Sequence, residues 1–146
     1  MATQLFTEAD QKAIQNAIAE AELNTCGEIR VHVDKTCKTD PVKRAVEVFN
    51  KLGMQKTKLR NGVLIYLATE HQKIAIIGDE AINKAVPERF WDDEIALMVS
   101  YFKKGEYKTG LVEGILKVGH QLKTAFPYCE GDENELSNEM SFGEEE

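Results

Sequence analysis

Carboxylates and amides cluster in one stretch of this chain. Gly78-Asp79-Glu80 is followed by Asn83 and then by Asp92-Asp93. Two further oxygen donors, Glu28 and Asn61, stand just before apolar runs, where strands would begin. Carboxylate and amide oxygens are hard ligands that suit Ca2+ or Mg2+. They act together only if the fold carries them to one place. In the competing reading, Asp79 caps the helix that follows it, and Asp92 and Asp93 are solvated surface.

Other chemistries lack their signatures. There is no GxGxxG or GxxxxGK[ST] loop to cradle a phosphate, no HExxH and no GxSxG. His32, His71 and His120 are scattered without metal-ligand spacing and read as structural. Cys37 has a lysine, not an arginine, six residues on, so it fails as a phosphate-binding cysteine loop. No aspartate pair has the one-residue spacing of a phosphoaspartyl enzyme. Asp132-Glu133-Asn134 opens like an EF-hand loop, but Ser137 replaces the glycine and Gly143 the final glutamate. No nucleophile stands out, so an enzyme here would need metal-activated water.

The elements that would position the acidic residues are legible. Thr7 caps a first helix whose apolar face is Ala13, Ile14, Ala17, Ile18 and Ala21. Glu28–Asp34 alternates Ile29, Val31 and Val33 with Arg30, His32 and Asp34, which predicts a strand with one buried face and one partly wet face. Asp40-Pro41 starts a helix with a stripe of Val42, Ala45, Val46, Phe49 and Leu52, ended by Gly53. Val63–Ala68 is apolar throughout, as a central strand covered on both faces would be.

A short turn leads to a third strand, Lys73–Gly78, so these two form an antiparallel hairpin. The first two strands, joined through a helix, should pair in parallel with a right-handed crossover. A short turn at Glu80–Ala85 precedes two helices, about 89–104 and 106–125. Tyr107, Leu111, Ile115, Val118, Leu122 and Phe126 form the buried stripe of the second, and Pro127 closes it. Gly110, Gly114 and Gly119 inside that helix point to close packing or to backbone approach by a ligand. Trp91, the only tryptophan, reads as core-facing. In this topology Asp79 ends the third strand beside Asn61, and Glu28 starts the first strand at the same sheet end.

Composition sets the outer limits. The 146 residues fit one domain, and no apolar run approaches the ~18 residues of a membrane span. Residues 1–12 lack the cationic-then-apolar pattern of a secretory signal, so a cytoplasmic location is expected. Cys26, Cys37 and Cys129 are read as reduced thiols. Residues 128–146 hold eight acids and no base, whereas the preceding 127 residues hold 18 bases against the other 17 of 25 acids. Neither part offers the basic stripe that nucleic acid requires. The organisation expected is an α/β domain over 1–127 and an acidic tail over 128–146. The tail should be less ordered than the body, with Leu136, Met140 and Phe142 able to dock.

In combination these segments resemble the TPM domain family, in its short soluble bacterial branch. The resemblance rests on the order of Gly27-Glu28-Ile29, Arg60-Asn61-Gly62-Val63-Leu64-Ile65 and Ile77-Gly78-Asp79-Glu80-Ala81-Ile82-Asn83. Val86-Pro87, Phe90-Trp91-Asp92-Asp93, Gly110-Leu111 and Phe126-Pro127 follow, so it spans about residues 5–127. It implies a Rossmann-like α/β/α sandwich with a central mixed sheet. It also implies divalent-metal binding, chiefly Ca2+ with Mg2+ as the other candidate, at acidic loops on one sheet end. The implied ligands are Asp79, Glu80, Asn61, Glu28, Asp92 and Asp93. The function expected is a calcium-binding interaction or regulatory module, monomeric, with a divalent cation and a protein as partners. The alternative is a metal-dependent acid phosphatase.

Overall fold

The computed structural model describes residues 6–23, 25, 27–56, 61–87, 89–126 and 140–143. Among these, five α-helices and a four-stranded sheet build an α/β/α sandwich. The first helix, α1 (Glu8–Glu22), opens with a capping box in which Thr7 and Asp10 each bond the other's backbone N–H. It leads to β1 (Glu28–Asp34), then α2 (Pro41–Lys51), capped by the Asp40 carboxylate on the Val42 N–H. A short 3-10 turn at Met54–Lys56 precedes β2 (Gly62–Ala68) and β3 (Lys73–Gly78). The chain continues through α3 (Glu80–Ala85), α4 (Phe90–Phe102) and α5 (Tyr107–Ala125) to a two-residue strand, β4 (Ser141–Phe142).

The sheet order is β3-β2-β1-β4. β1 and β2 are parallel with Glu28 opposite Gly62 and Asp34 opposite Ala68, and β2 and β3 are antiparallel with Val63 opposite Gly78. The expected hairpin and parallel pair are therefore both present. The period of two sorts the strand side chains into two cores. Ile29, Val31, Val33, Val63, Ile65 and Leu67 pack with α1, α4 and α5. Leu64, Tyr66, Ala68 and Ala75 pack with Ala45, Val48 and Phe49 of α2.

α2 lies across β3 and β2 and leaves the same face of β1 uncovered by helix. Glu28, Arg30, His32 and Asp34 are on that face. It is not the partly wet face that alternation suggests: Glu28, His32 and Asp34 are buried, and only Arg30 is half-buried. Side-chain pairing and β4 cover it in place of a helix.

One other expectation needs correction. Val42 and Val46 are 50% and 43% exposed, and Val48 takes the buried position beside Ala45 and Phe49. The cap at Asp40 fixes the phase of α2, and that phase turns Val42 and Val46 to solvent. Trp91 packs against the core, as expected, from a partly buried place at the sheet rim, and donates its indole N–H to Asn83 Oδ1 at 2.9 Å. The helix expected at about 89–104 is present as Phe90–Phe102, capped at Arg89 and Lys103, and Gly105 ends its turn with φ of 77°.

The glycines of α5 serve helix packing. A Cβ built at Gly119 would lie 2.8 Å from Ala21 Cα of α1, and one at Gly114 would lie 2.7 Å from Met98 Cγ of α4. α1 and α4 thus approach α5 more closely than any larger residue permits. Among the described residues no helix is long and apolar enough to cross a membrane.

Of the acidic tail, Met140 is buried and Ser141–Phe142 pairs in parallel with His32–Val33, so the expected docking holds for Met140 and Phe142. Leu136 and the expected low order of the remaining tail lie outside the described residues, as do Cys26, Arg60, Pro127 and Cys129.

Candidate functional site

The topology gives the sheet two chemically different rims. At the first, β3 ends where β1 and β2 begin. The Asp79 N–H donates to the Gly62 carbonyl at 2.8 Å, and Gly62 stands opposite Glu28. Asn61, Glu28 and Asp79 are all buried there. Asn83 ties the rim to the helical layer, donating from Nδ2 to the Gly78 carbonyl at 2.8 Å.

Of the six residues named from sequence, the fold brings these three to one rim. Asp79 also caps α3, its carboxylate accepting from the Glu80 N–H at 2.8 Å. Glu80 is exposed in the first turn of that helix, and Asp92 and Asp93 are exposed in the first turn of α4. Two carboxylates and an amide, without nitrogen or sulfur donors, are the donor set of a hard cation. Among the described residues no three His, Cys, Asp or Glu side chains come close enough together to hold a metal. A cation here would therefore need the Asn61 amide, main-chain carbonyls or water to complete its shell.

The opposite rim carries a polar network that sequence reasoning missed. Asp34 ends β1 and is buried. It accepts hydrogen bonds from Tyr66 Oη at 2.6 Å and Arg44 Nε at 2.9 Å, and its Oδ1 lies 2.9 Å from His32 Nε2. His32 Nδ1 lies 2.8 Å from Ser141 Oγ. A carboxylate on Nε2 fixes the proton there, so Nδ1 accepts from the serine hydroxyl. The result is a carboxylate–imidazole–hydroxyl relay across β1 and β4. His32 also stacks on Tyr66, its register partner, with ring centroids 6.0 Å apart.

Burial alone would raise the Asp34 carboxyl, but the bonds from His32, Arg44 and Tyr66 outweigh it and hold the group well below the usual carboxylate range. Burial, reinforced by the bond to Asp34, pushes the Tyr66 phenol well above its ordinary value. The bond that Arg44 itself donates to Asp34 raises the Arg44 guanidinium.

A cleft of about 600 Å³ opens over this network, between the loop after β1 and the segment around β4. The loop wall is tied down: Lys73 Nζ donates to the Cys37 and Thr39 carbonyls at 2.8 and 3.0 Å, and His71 Nδ1 lies 2.8 Å from the Cys37 carbonyl. No motif in the local sequence signals the relay. The one usable sign is the run of polar residues at alternate positions of β1, which a strand inside a sandwich does not tolerate without partners.

A model of the TPM domain matches residues 2–121. The NMR structure of the BA42 protein from the psychrophilic bacterium Bizionia argentinensis is 47% identical, covering 94% of this chain and 95% of that one, with a TM-score of 0.88. Two N-terminal domains solved by NMR share the fold at lower identity. One, from P. gingivalis, has 19% identity and a TM-score of 0.70 over 84% of this chain and 79% of that one. The other, of the cg2496 protein from Corynebacterium glutamicum, has 14% identity and a TM-score of 0.65 over 94% of this chain and 81% of that one. No curated protein matches the chain significantly.

Proposed function

This chain belongs to the TPM domain family, and from that premise we propose that it is a divalent-cation-binding module with Ca2+ as its ion. The observation that carries the reading is the burial of Glu28, Asn61 and Asp79 at one sheet rim. Calcium accepts irregular sets of 6–8 oxygens, whereas Mg2+ demands a stricter octahedron. Glu80, Asp92 and Asp93 stand on the first turns of α3 and α4, where they draw the cation towards the rim. The bound ion would lock the strand ends to α3 and present a fixed surface to a protein partner.

Titration of the 15N-labelled chain with CaCl2 tests this. Saturable shifts are expected at Glu28, Asn61, Asp79 and Glu80, with a rise in melting temperature. The stabilisation is about 2.7 kcal/mol when calcium is at a hundredfold excess over its dissociation constant. Asp79→Asn weakens both responses. Shifts confined to the acidic residues after Tyr128, or a melting temperature unmoved by millimolar calcium, would remove the reading.

The second reading, phosphomonoester hydrolysis, is favoured by one observation, the Asp34–His32–Ser141 relay. It supplies a hydroxyl, a base and a group that orients the base, the arrangement an activated serine needs. On this reading any turnover of p-nitrophenyl phosphate is lost in Ser141→Ala, and turnover retained in that variant would rule out a serine mechanism.

A further inference from the structure

In open α/β sheets, ligands bind outside the carboxyl ends of the strands where the chain leaves a strand in one direction and its other neighbour comes from elsewhere. β1 is such a strand. It leads through α2 to β2 on one side, while β4 arrives on its other side after α5. The 600 Å³ cleft lies at that place and falls within the range of small-molecule sites.

Its lining has a sign. Lys35, Lys38, Arg44 and Lys51 face the cleft against Asp34 and Glu70. Asp34 is neutralised from within by Arg44 at 2.9 Å, and Lys35 reaches Glu70 at 3.6 Å. Among the described residues, Lys38 and Lys51, both exposed, are left to set the field of the cleft. The chain as a whole carries −7, so this local positive excess runs against its overall charge. A concave site with low-dielectric walls focuses such a field. Ser141 lies at the floor, its hydroxyl turned to His32 Nδ1.

We propose that this cleft binds a small ligand through an oxyanion group, phosphate or carboxylate, with Lys38 and Lys51 supplying the charge. The site is complete only when β4 is in place, because Ser141, Phe142 and Gly143 form one wall. It lies at the opposite rim from Asp79 and holds whether or not Ser141 acts on the ligand, so it stands apart from both readings above.

The test is a pair of titrations of the full 15N-labelled chain, one with sodium phosphate and one with citrate, each against NaCl at matched ionic strength and fixed pH. Saturable shifts are expected at Lys35–Thr39 and Ser141–Gly143. A response to phosphate alone identifies a phosphate site, and a response to citrate alone a carboxylate site. The double variant Lys38→Glu/Lys51→Glu changes two exposed side chains and should weaken binding by about tenfold or more, with an otherwise superimposable spectrum. The proposal is overturned if NaCl reproduces the shifts, if they fall elsewhere, or if the double variant binds as tightly as the parent. Calcium shifts at the Asp79 rim report separately, so failure of one site leaves the other testable.

Discussion

Asp34→Ala is expected to destabilise the domain by about 3–5 kcal/mol, the range for removing one partner of a buried ion pair. Three donors converge on this carboxylate, from Tyr66, Arg44 and the His32 imidazole. Alanine leaves the phenol and the imidazole buried with no acceptor, at about 1–3 kcal/mol for each unsatisfied group. Arg44 suffers less, since Glu47 lies 3.5 Å from its Nη1 and solvent reaches it. The folded carboxyl lies below its ordinary value, so its contribution is complete at neutral pH. It fades only as pH falls below about 4, the value in the unfolded chain, towards the lower folded value. Urea unfolding at pH 7 measures the loss, and the same series in acid should show the parent converging on the variant. A loss under about 1 kcal/mol would mean that water replaces the carboxylate as acceptor.

The sequence exposes the elements well and the sites unevenly. Strands and helices declare themselves through period: Val63–Ala68 as an apolar run, and Leu111, Ile115, Val118 and Leu122 as one helical face. The convergence of Glu28, Asn61 and Asp79 is legible for a related reason. Once the hairpin and the parallel pair are recognised, register fixes which residues share a rim, and no side-chain detail is needed. The resemblance to the TPM family is likewise borne out.

The opposite rim is illegible because its partners are remote. Ser141 meets His32 across 109 positions, and a strand of two residues has no period to detect. Alternation in β1 reveals that His32 and Asp34 share a face, but not that α2 leaves that face uncovered and that Tyr66 and β4 cover it instead. The acidity of the tail hides β4 further, since net charge argues against packing and two apolar side chains, Met140 and Phe142, argue for it.

Glu94 carries the last large effect, and it arises from the glycines of α5. Because Gly114 has no side chain, α4 closes onto α5, and a Cβ there would stand 3.3 Å from Glu94 Oε1. That closeness leaves Glu94 with 0% exposure, and neither carboxylate oxygen has a hydrogen-bond partner among the described residues. Burial pushes its pKa up to about 7, while the Lys117 charge acts in the opposite direction and only partly offsets it. The folded protein therefore holds a proton that the unfolded chain releases near 4.5. Stability from this site is complete below that pH and is lost as pH rises towards 7. The loss approaches about 3 kcal/mol at pH 8, at 1.36 kcal/mol per pKa unit. Glu94→Gln keeps the shape without the charge, so its advantage over the parent should grow from under about 1 kcal/mol at pH 5 to about 3 kcal/mol at pH 8. Denaturant midpoints of the two proteins across that range give the difference directly. An advantage that does not change with pH would show that Glu94 stays ionised in the fold, with water or Lys117 reaching its carboxylate.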